Sequence, residues 1–370
     1  MNILFVGGNF DDNGGRPSSL VWKFVETLAK KETLKVIVKN GGYFSEIEEL
    51  LNNVNEDNLI LNSDIVFWWA NVPNDKPKMR DVKSINSKVM LVTSKRNDNE
   101  NYSFQELINR ALGTKSNLCV EFSKDNESGK YNMMVFDPLG NCWFNGDNIV
   151  DCCDALVERL LFLKDITRQG TINIKEKEYD IVIPNEVEFF DVIKEYADIF
   201  HTLIKPAANV TRFLGNSSFR CQRGFPSFRK GGLIYVSKRN IDKRFIDKNG
   251  FVPTKLVDEK VYYYGENKPS VDTPIQLRLY EKLTNINYMV HAHVYVKNAP
   301  FTNHMIPCGG LEEVNEILET IKKEYNSFEK DFYILNLVGH GCIVMSNDVE
   351  KLKNIEFDFV ERELSEYLNN

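Results

Sequence analysis

Long apolar runs are missing from this chain. No stretch approaches the roughly 18 residues that a membrane-crossing helix needs, so no membrane partner is expected. Met1 to Val6 is a short apolar run cut off by Gly7-Gly8, which is no secretory leader. Paired cysteine motifs are missing too. The seven cysteines, Cys119, Cys142, Cys152, Cys153, Cys221, Cys308 and Cys342, are odd in number and scattered, with no CxxC. That excludes a zinc ribbon and a thioredoxin-like motif, and fits reduced thiols in a cytoplasmic protein. Excess positive charge is also absent. Lys and Arg number 46 against 53 Asp and Glu, a formal charge of −7, which argues against nucleic acid as a partner. No internal repeat or low-complexity tract occurs.

What remains is an ordinary globular composition, 42% hydrophobic and 27% charged, over 370 residues. At about 150 residues per domain, two domains are expected. The first part alternates strand and helix signals. Asn2 to Val6, Leu34 to Val38, Ile65 to Trp68 and Val89 to Val92 read as strands. Pro17-Ser18-Ser19 opens a helix to about Lys30, and Phe44 to Leu51, Phe104 to Leu112 and Val150 to Leu163 read as further helices. This pattern predicts an α/β domain over residues 1–165, a Rossmann- or flavodoxin-like parallel sheet. The polar stretch 166–179, with Gly170 and the run Lys175 to Glu178, reads as a linker or as a surface hairpin. Residues 180–370 form the second expected domain. It opens with a helix from Glu186 to His201, and strands follow at Leu233–Val236, Val261–Tyr264, Tyr288–Val296, Phe332–Val338 and Cys342–Met345.

Histidine is scarce, with five in the chain: His201, His291, His293, His304 and His340. His291-Ala-His293 lies in a strand pattern, where residues two apart share a face. Tyr288, Val290, Ala292, Val294 and Val296 form the opposite, apolar face. Two neutral imidazoles side by side can chelate one divalent ion, and a third histidine would complete a three-ligand catalytic site. The bland alternative is a chance pair on an exposed face. His340 stands between Gly339 and Gly341, where close backbone passage can deliver it to a site or simply make a turn. His304, in a loop before Pro307, could line an entrance, and His201 at a helix end suits the helix dipole.

Four segments, in order, resemble the class II aldolase/adducin-head family from about Glu186 onward. They are Leu214-Gly-Asn-Ser-Ser-Phe-Arg220, Leu233-Ile-Tyr-Val-Ser-Lys-Arg-Asn-Ile-Asp-Lys243, Lys268-Pro-Ser-Val-Asp-Thr-Pro-Ile-Gln276 running on to Tyr280 and then His291-Ala-His293, and Val338-Gly-His-Gly-Cys-Ile-Val344. The resemblance implies a C-terminal class II aldolase-like α/β/α domain. It implies Zn²⁺, with Mn²⁺, Fe²⁺ or Co²⁺ as substitutes, on His291, His293 and His340. It makes Asp272 the acid/base, where the family usually has Glu. Gly215, Asn216, Ser237, Arg239, Asn240 and Ser270 would surround a substrate phosphate. The implied reaction is cleavage or epimerisation of a sugar phosphate, or a related hydroxycarbonyl compound, through a metal-stabilised enediolate. A homo-oligomer, a tetramer in many members, is implied as well. Departures from the family pattern are Asp272 itself, the Ser237-Lys-Arg-Asn240 loop, Val271 and Gln276. Adducin heads show that the fold can lose its chemistry, so a binding or assembly protein is the alternative.

The first domain carries Gly7-Gly-Asn-Phe-Asp-Asp-Asn-Gly-Gly15 between a strand and a helix. Glycine-permitted amides and helix N-termini bind phosphate, so Gly8, Asp11, Gly14, Gly15 and Arg16 are candidates for a nucleotide or nucleotide-sugar-like ligand. The pattern is neither GxGxxG nor a Walker loop, and most such loops are tight turns. Trp68-Trp69 at a strand end and Asp137 in a turn are further candidates, with core packing as the alternative for the tryptophans.

Overall fold

The computed structural model describes residues 1–73, 82–97, 102–124, 129–174, 181–204, 215–220 and 232–358. Cys221, the run Lys175 to Glu178 and Leu214 lie outside the described residues. The chain divides into two compact units, the first holding Met1–Lys164 and the second beginning at Asp165.

In the first unit the apolar runs are buried on both faces, as central strands of a parallel sheet must be. The elements are β1 (Asn2–Asp11), α1 (Ser19–Ala29), β2 (Lys35–Tyr43), α2 (Phe44–Asn52), β3 (Ile65–Asn71), α3 (Val82–Ile85), β4 (Met90–Arg96), α4 (Phe104–Thr114), β5 (Leu118–Lys124), β6 (Tyr131–Phe136), β7 (Cys142–Gly146) and α5 (Ile149–Asp165). Strand order is β2-β1-β3-β4-β5-β6-β7. The first five are parallel and β6 and β7 are antiparallel. The order 2-1-3-4-5 is the flavodoxin-like arrangement. Alternate residues of β1 feed two cores: Ile3 and Phe5 join Phe24 and Leu156, while Leu4 and Val6 join Ile47 and Leu51. Cys152 and Cys153 of α5 are core residues.

The first strand is longer than its apolar run suggests. It continues to Asp11, because glycine lets it slide beneath α1: a Cβ at Gly7 would stand 2.2 Å from Val21 Cγ2.

The second unit is an α/β/α layer structure. Its elements are β8 (Thr171–Ile174), α6 (Val187–Ile204), β9 (Asn216–Arg220), β10 (Ile234–Ser237), β11 (Phe251–Val257), β12 (Lys260–Tyr264), α7 (Thr273–Lys282), β13 (Tyr288–Ala292), β14 (Tyr295–Val296), α8 (Glu312–Tyr325), β15 (Phe332–Leu337), β16 (Gly341–Ser346) and β17 (Phe357–Asp358). The main sheet has the order β15-β16-β13-β9-β10-β11-β12-β8. It is antiparallel except for β8 on β12. So the stretch expected as a linker contributes an edge strand, Thr171–Ile174, to this sheet. On one face, Phe189, Phe190 and Ile193 of α6 pack on Val290, Ala292 and Val344. On the other, Ile275 and Leu279 of α7 and Val314 and Ile317 of α8 pack on Met289, Ile343 and Met345.

The strand expected from Tyr288 to Val296 breaks at His293, where β13 ends and the chain bends before β14. Its apolar face does form core, since Tyr288, Val290, Ala292, Val294 and Val296 belong to one cluster. The other face is covered as well, Met289 packing with residues of α7 and α8, and His291 is buried rather than on an open surface.

Candidate metal centre

Three antiparallel segments meet at the site. Strand β13 pairs with β9 on one side, His291 opposite Asn216, and with β16 on the other, His291 opposite Ile343. His340 arrives from the turn joining β15 to β16. Two glycines let these backbones approach. Gly215 has φ +77, and a Cβ on it would stand 2.6 Å from the His291 carbonyl oxygen. Gly341 has φ +145, and a Cβ there would stand 1.9 Å from the Ala292 carbonyl oxygen and 2.7 Å from His293 Cα.

His291, His293 and His340 each direct a ring nitrogen into one space, and these atoms lie within 4.8 Å of one another. The ring centroids stand 5.1, 4.7 and 5.1 Å apart. His291 is 5% exposed and His340 fully buried, while His293 is half-buried. Backbone and side chains fix the tautomers. His291 Nδ1 lies 2.9 Å from the Cys342 carbonyl oxygen, which can only accept, so Nδ1 carries the proton and Nε2 presents its lone pair. That buried Nε2 has no hydrogen-bond partner among the described residues. A buried polar atom without a partner costs about 1–3 kcal/mol, and a ligand is one way to recover it. His340 Nδ1 lies 2.6 Å from Glu313 Oε1, the carboxylate–histidine arrangement that orients metal-binding imidazoles. Its Nε2 is then the inward donor.

Charge follows burial. Desolvation, with His340 adding to it, pushes His291 down from 6.5 to about 4, so it is neutral at neutral pH. Burial opposes charge on His340 too, but Glu313 and Cys308 outweigh it and hold its pKa well above the usual range. Burial raises Glu313. Without an ion, a proton is therefore held on the His340–Glu313 pair. The donor set fits a divalent ion of the zinc type: three convergent imidazole nitrogens, one orphaned lone pair and a partnered outer nitrogen.

Asp272 stands at the N-terminus of α7, but its side chain makes no capping bond. One carboxylate oxygen accepts from Asn216 Nδ2 at 2.7 Å and the other from Gly309 N at 3.0 Å. Gln276 Nε2 donates to Asn216 Oδ1 and so fixes that amide. Ser217 N donates to Ser237 Oγ at 3.1 Å, and Ser270 N to the Ser237 carbonyl at 3.1 Å. Asn216, Ser237, Ser270 and Asp272 are thus linked by hydrogen bonds and backbone beside His291. Arg239 and Asn240 are exposed on the next loop. Arg239 Nε donates to the Pro269 carbonyl at 3.3 Å.

The other candidates lie elsewhere. The His304 ring is 75% exposed and pairs with Glu316 at 2.7 Å, away from the cluster. Tyr295 Oη accepts from Gly339 N at 2.9 Å and so shapes the His340 turn. Asp137 is a buried turn residue accepting from Leu139 N, Asn141 N and the Asn141 side chain. Trp69 packs edge-on against Phe5, Phe24, Phe67 and Phe122 in the core. At the first unit's glycine segment, Asn9 N donates to the Arg16 carbonyl at 2.8 Å and Gly15 N to the Gly42 carbonyl at 2.7 Å. Gly8 and Gly14 have positive φ, and Asp11 Oδ1 accepts from Asn13 N at 2.8 Å.

Three residues at the site receive no role from sequence: Glu313, Cys308 and Lys243, the last at the end of a segment that carries the family resemblance. Lys243 is 8% exposed, and burial lowers it to about 8 against the pull of Asp242 and Asp272. Its charge also acts on His291. A lysine among Ile241-Asp-Lys-Arg-Phe245 looks like surface, and only the fold turns it inward.

Residues 194–356 match the sequence model of the family described as Class II Aldolase and Adducin N-terminal domain. Among solved structures, the DNA/pantothenate metabolism flavoprotein from Streptococcus pneumoniae is similar at 10% identity, covering 44% of this chain and 98% of its own, with a TM-score of 0.34. YgbL from Klebsiella pneumoniae, a proposed aldolase/epimerase/decarboxylase, is similar at 13% identity over 45% of this chain and 83% of its own, TM-score 0.29. The N-terminal class II aldolase domain of a conserved Thermoplasma acidophilum protein is similar at 15% identity, over 48% and 90%, TM-score 0.28. No curated protein matches the chain. Among the described residues no helix is long and apolar enough to cross a membrane. The resemblance of the second unit to class II aldolase/adducin domains thus holds over residues 194–356.

Proposed function

We propose that this chain is a metal-dependent lyase or epimerase of the class II aldolase type, acting on a sugar phosphate or a related hydroxycarbonyl compound. The observation that carries this reading is the partnerless His291 Nε2, buried beside the donor atoms of two further histidines. A Zn²⁺ ion held by His291, His293 and His340, or Mn²⁺, Fe²⁺ or Co²⁺ in its place, would supply Lewis-acid polarisation of adjacent substrate oxygens. Asp272 takes or returns the proton at the neighbouring carbon or oxygen. Bonds from Asn216 and Gly309 fix the plane of its carboxylate, as a proton-transfer group requires. Gln276 stands where the family has a histidine, and it keeps Asn216 aimed at Asp272. Asn216, Ser237 and Ser270 line the inner wall, and Arg239 and Asn240 stand at its exposed end to meet a phosphate. Lys243 adds a buried positive charge that favours an anionic substrate. The first unit, through Gly8, Asp11, Gly14, Gly15 and Arg16, binds a nucleotide or sugar portion in this reading, and the chain works as a homo-oligomer.

The test is metal content and turnover of the full chain, purified without added metal. It is assayed against phosphorylated ketoses and their unphosphorylated forms by following aldehyde release and epimer formation. About one divalent ion per chain, and turnover abolished by chelation and restored by metal, are expected. A folded, metal-free chain inert toward every substrate would favour a binding or assembly role instead.

A further inference from the structure

Cys308 lies in the loop between β14 and α8, next to Gly309, whose amide holds Asp272. Its thiol is half-buried and stands 3.2 Å from His340 Nε2. That nitrogen is the one left inward once Nδ1 is engaged by Glu313. Around one tetrahedral ion, bonds of about 2.3 Å to sulfur and 2.0–2.1 Å to nitrogen put S and N roughly 3.5 Å apart. The Cys308–His340 separation is already close to that value. The second, independent observation is His291 Nε2, 95% buried by residue and without a partner, aimed into the same space. Sulfur approaches the cluster at the His340 corner and stands outside the group of three ring nitrogens that lie within 4.8 Å of one another, so its side chain must swing to reach a shared ion.

Resting on the three-histidine reading, we propose that Cys308 is a fourth protein donor, making the centre a His₃Cys site in which the thiolate occupies the position that a substrate must enter. Binding then deprotonates the thiol and releases that proton to solvent. A site with four protein donors is closed, whereas a three-donor site keeps an open position. With the ion bound, Cys308 would compete with substrate oxygens for that position. The half-exposed loop position of Cys308 suits a donor that comes and goes, whereas the histidines are held by strands and a tight turn.

The experiment uses the full chain stripped of metal and titrated with Co²⁺ alone. Thiolate ligation gives a near-ultraviolet sulfur-to-cobalt charge-transfer band together with the intense visible bands of tetrahedral cobalt. We expect both in the parent. In Cys308→Ser the charge-transfer band should vanish, while Co²⁺ still binds at least tenfold more weakly. Iodoacetamide labelling of Cys308 in the unsubstituted chain, read by peptide mass, should be blocked by Co²⁺, which needs no variant to fold. Cobalt bound without the band, or a band unchanged in Cys308→Ser, overturns the thiolate and leaves the three histidines standing. A folded parent that binds no Co²⁺ overturns both.

Discussion

Two glycine-punctuated segments among the described residues, Gly7 to Gly15 and Gly339 to Gly341, are built to opposite purposes. In the first unit, Gly7 to Gly15 draws backbone against backbone. Asn9 N meets the Arg16 carbonyl, Gly15 N meets the Gly42 carbonyl, and Asn40 bonds both the amide and the carbonyl of Ser18. In the second unit, Gly339 and Gly341 draw His340 toward His291, and there a buried nitrogen has no partner among the described residues. Glycine reports close approach of chains in both. What separates a centre from a tight junction is the polar atom that the protein itself leaves unsatisfied.

The comparison breaks most completely at a histidine. His293→Ala should reduce bound metal from about one ion per chain to background, with the first unit still folded; metal analysis and limited proteolysis of one preparation check both. Metal retained at the parent level would remove His293 from the set.

Asp272→Asn should lower turnover by about 10²–10⁴. It should also destabilise the second unit by about 1–3 kcal/mol, because both carboxylate oxygens accept hydrogen bonds and an amide NH₂ would face a donor. Thermal unfolding alongside kinetics checks this. An unshifted melting temperature would mean that the two bonds do not form.

Acid sharpens the comparison next. The metal-free second unit should lose about 3 kcal/mol as pH falls from 6.5 toward 4, since unfolded His291 takes up a proton that the buried ring refuses. His340 acts in the opposite sense. Its raised pKa stabilises the fold fully below 6.5 and is lost only as pH rises through the folded value, so it adds no slope in the acid window. Denaturant titrations across that range read the slope, which bound metal should flatten.

Gly15→Ala should destabilise the first unit by about 1–3 kcal/mol, because the added Cβ would stand 1.9 Å from the Asn9 carbonyl oxygen. Bound metal should not change. His304→Ala should be nearly silent, within about 0.5 kcal/mol and with full metal content, as expected for an exposed surface pair.

Much of this layout was legible before folding. The alternation around His291-Ala-His293 separated core from site, since the apolar face is a single core cluster. Strand and helix alternation foretold the parallel sheet of the first unit. Order within the sheets was not legible, nor was the extension of β1 through Gly7 and Gly8, because glycine reads as loop whenever its packing partner, here Val21, is unknown. The polar stretch after α5 hid β8, whose four residues pair only with β12, roughly 90 positions away. Glu313, Cys308 and Lys243 escaped for the same reason. Glu313 and Lys243 are common residues in polar neighbourhoods and Cys308 is one of several unpaired cysteines, so only tertiary packing gives each an address. Asp272 stands where a helix cap would, yet its side chain turns to Asn216 and Gly309 instead.

Gly341 offers no donor atom, yet its missing side chain sets the gap between the two segments that carry the histidines. In a scan of all single substitutions scored by metal retention, position 341 should stand beside 291, 293 and 340, and even alanine should fail there. A reader of such a map would count position 341 among the ligands although it is a spacer. What residue 341 contributes is a width, set by the 1.9 Å that would separate an added Cβ from the Ala292 carbonyl oxygen.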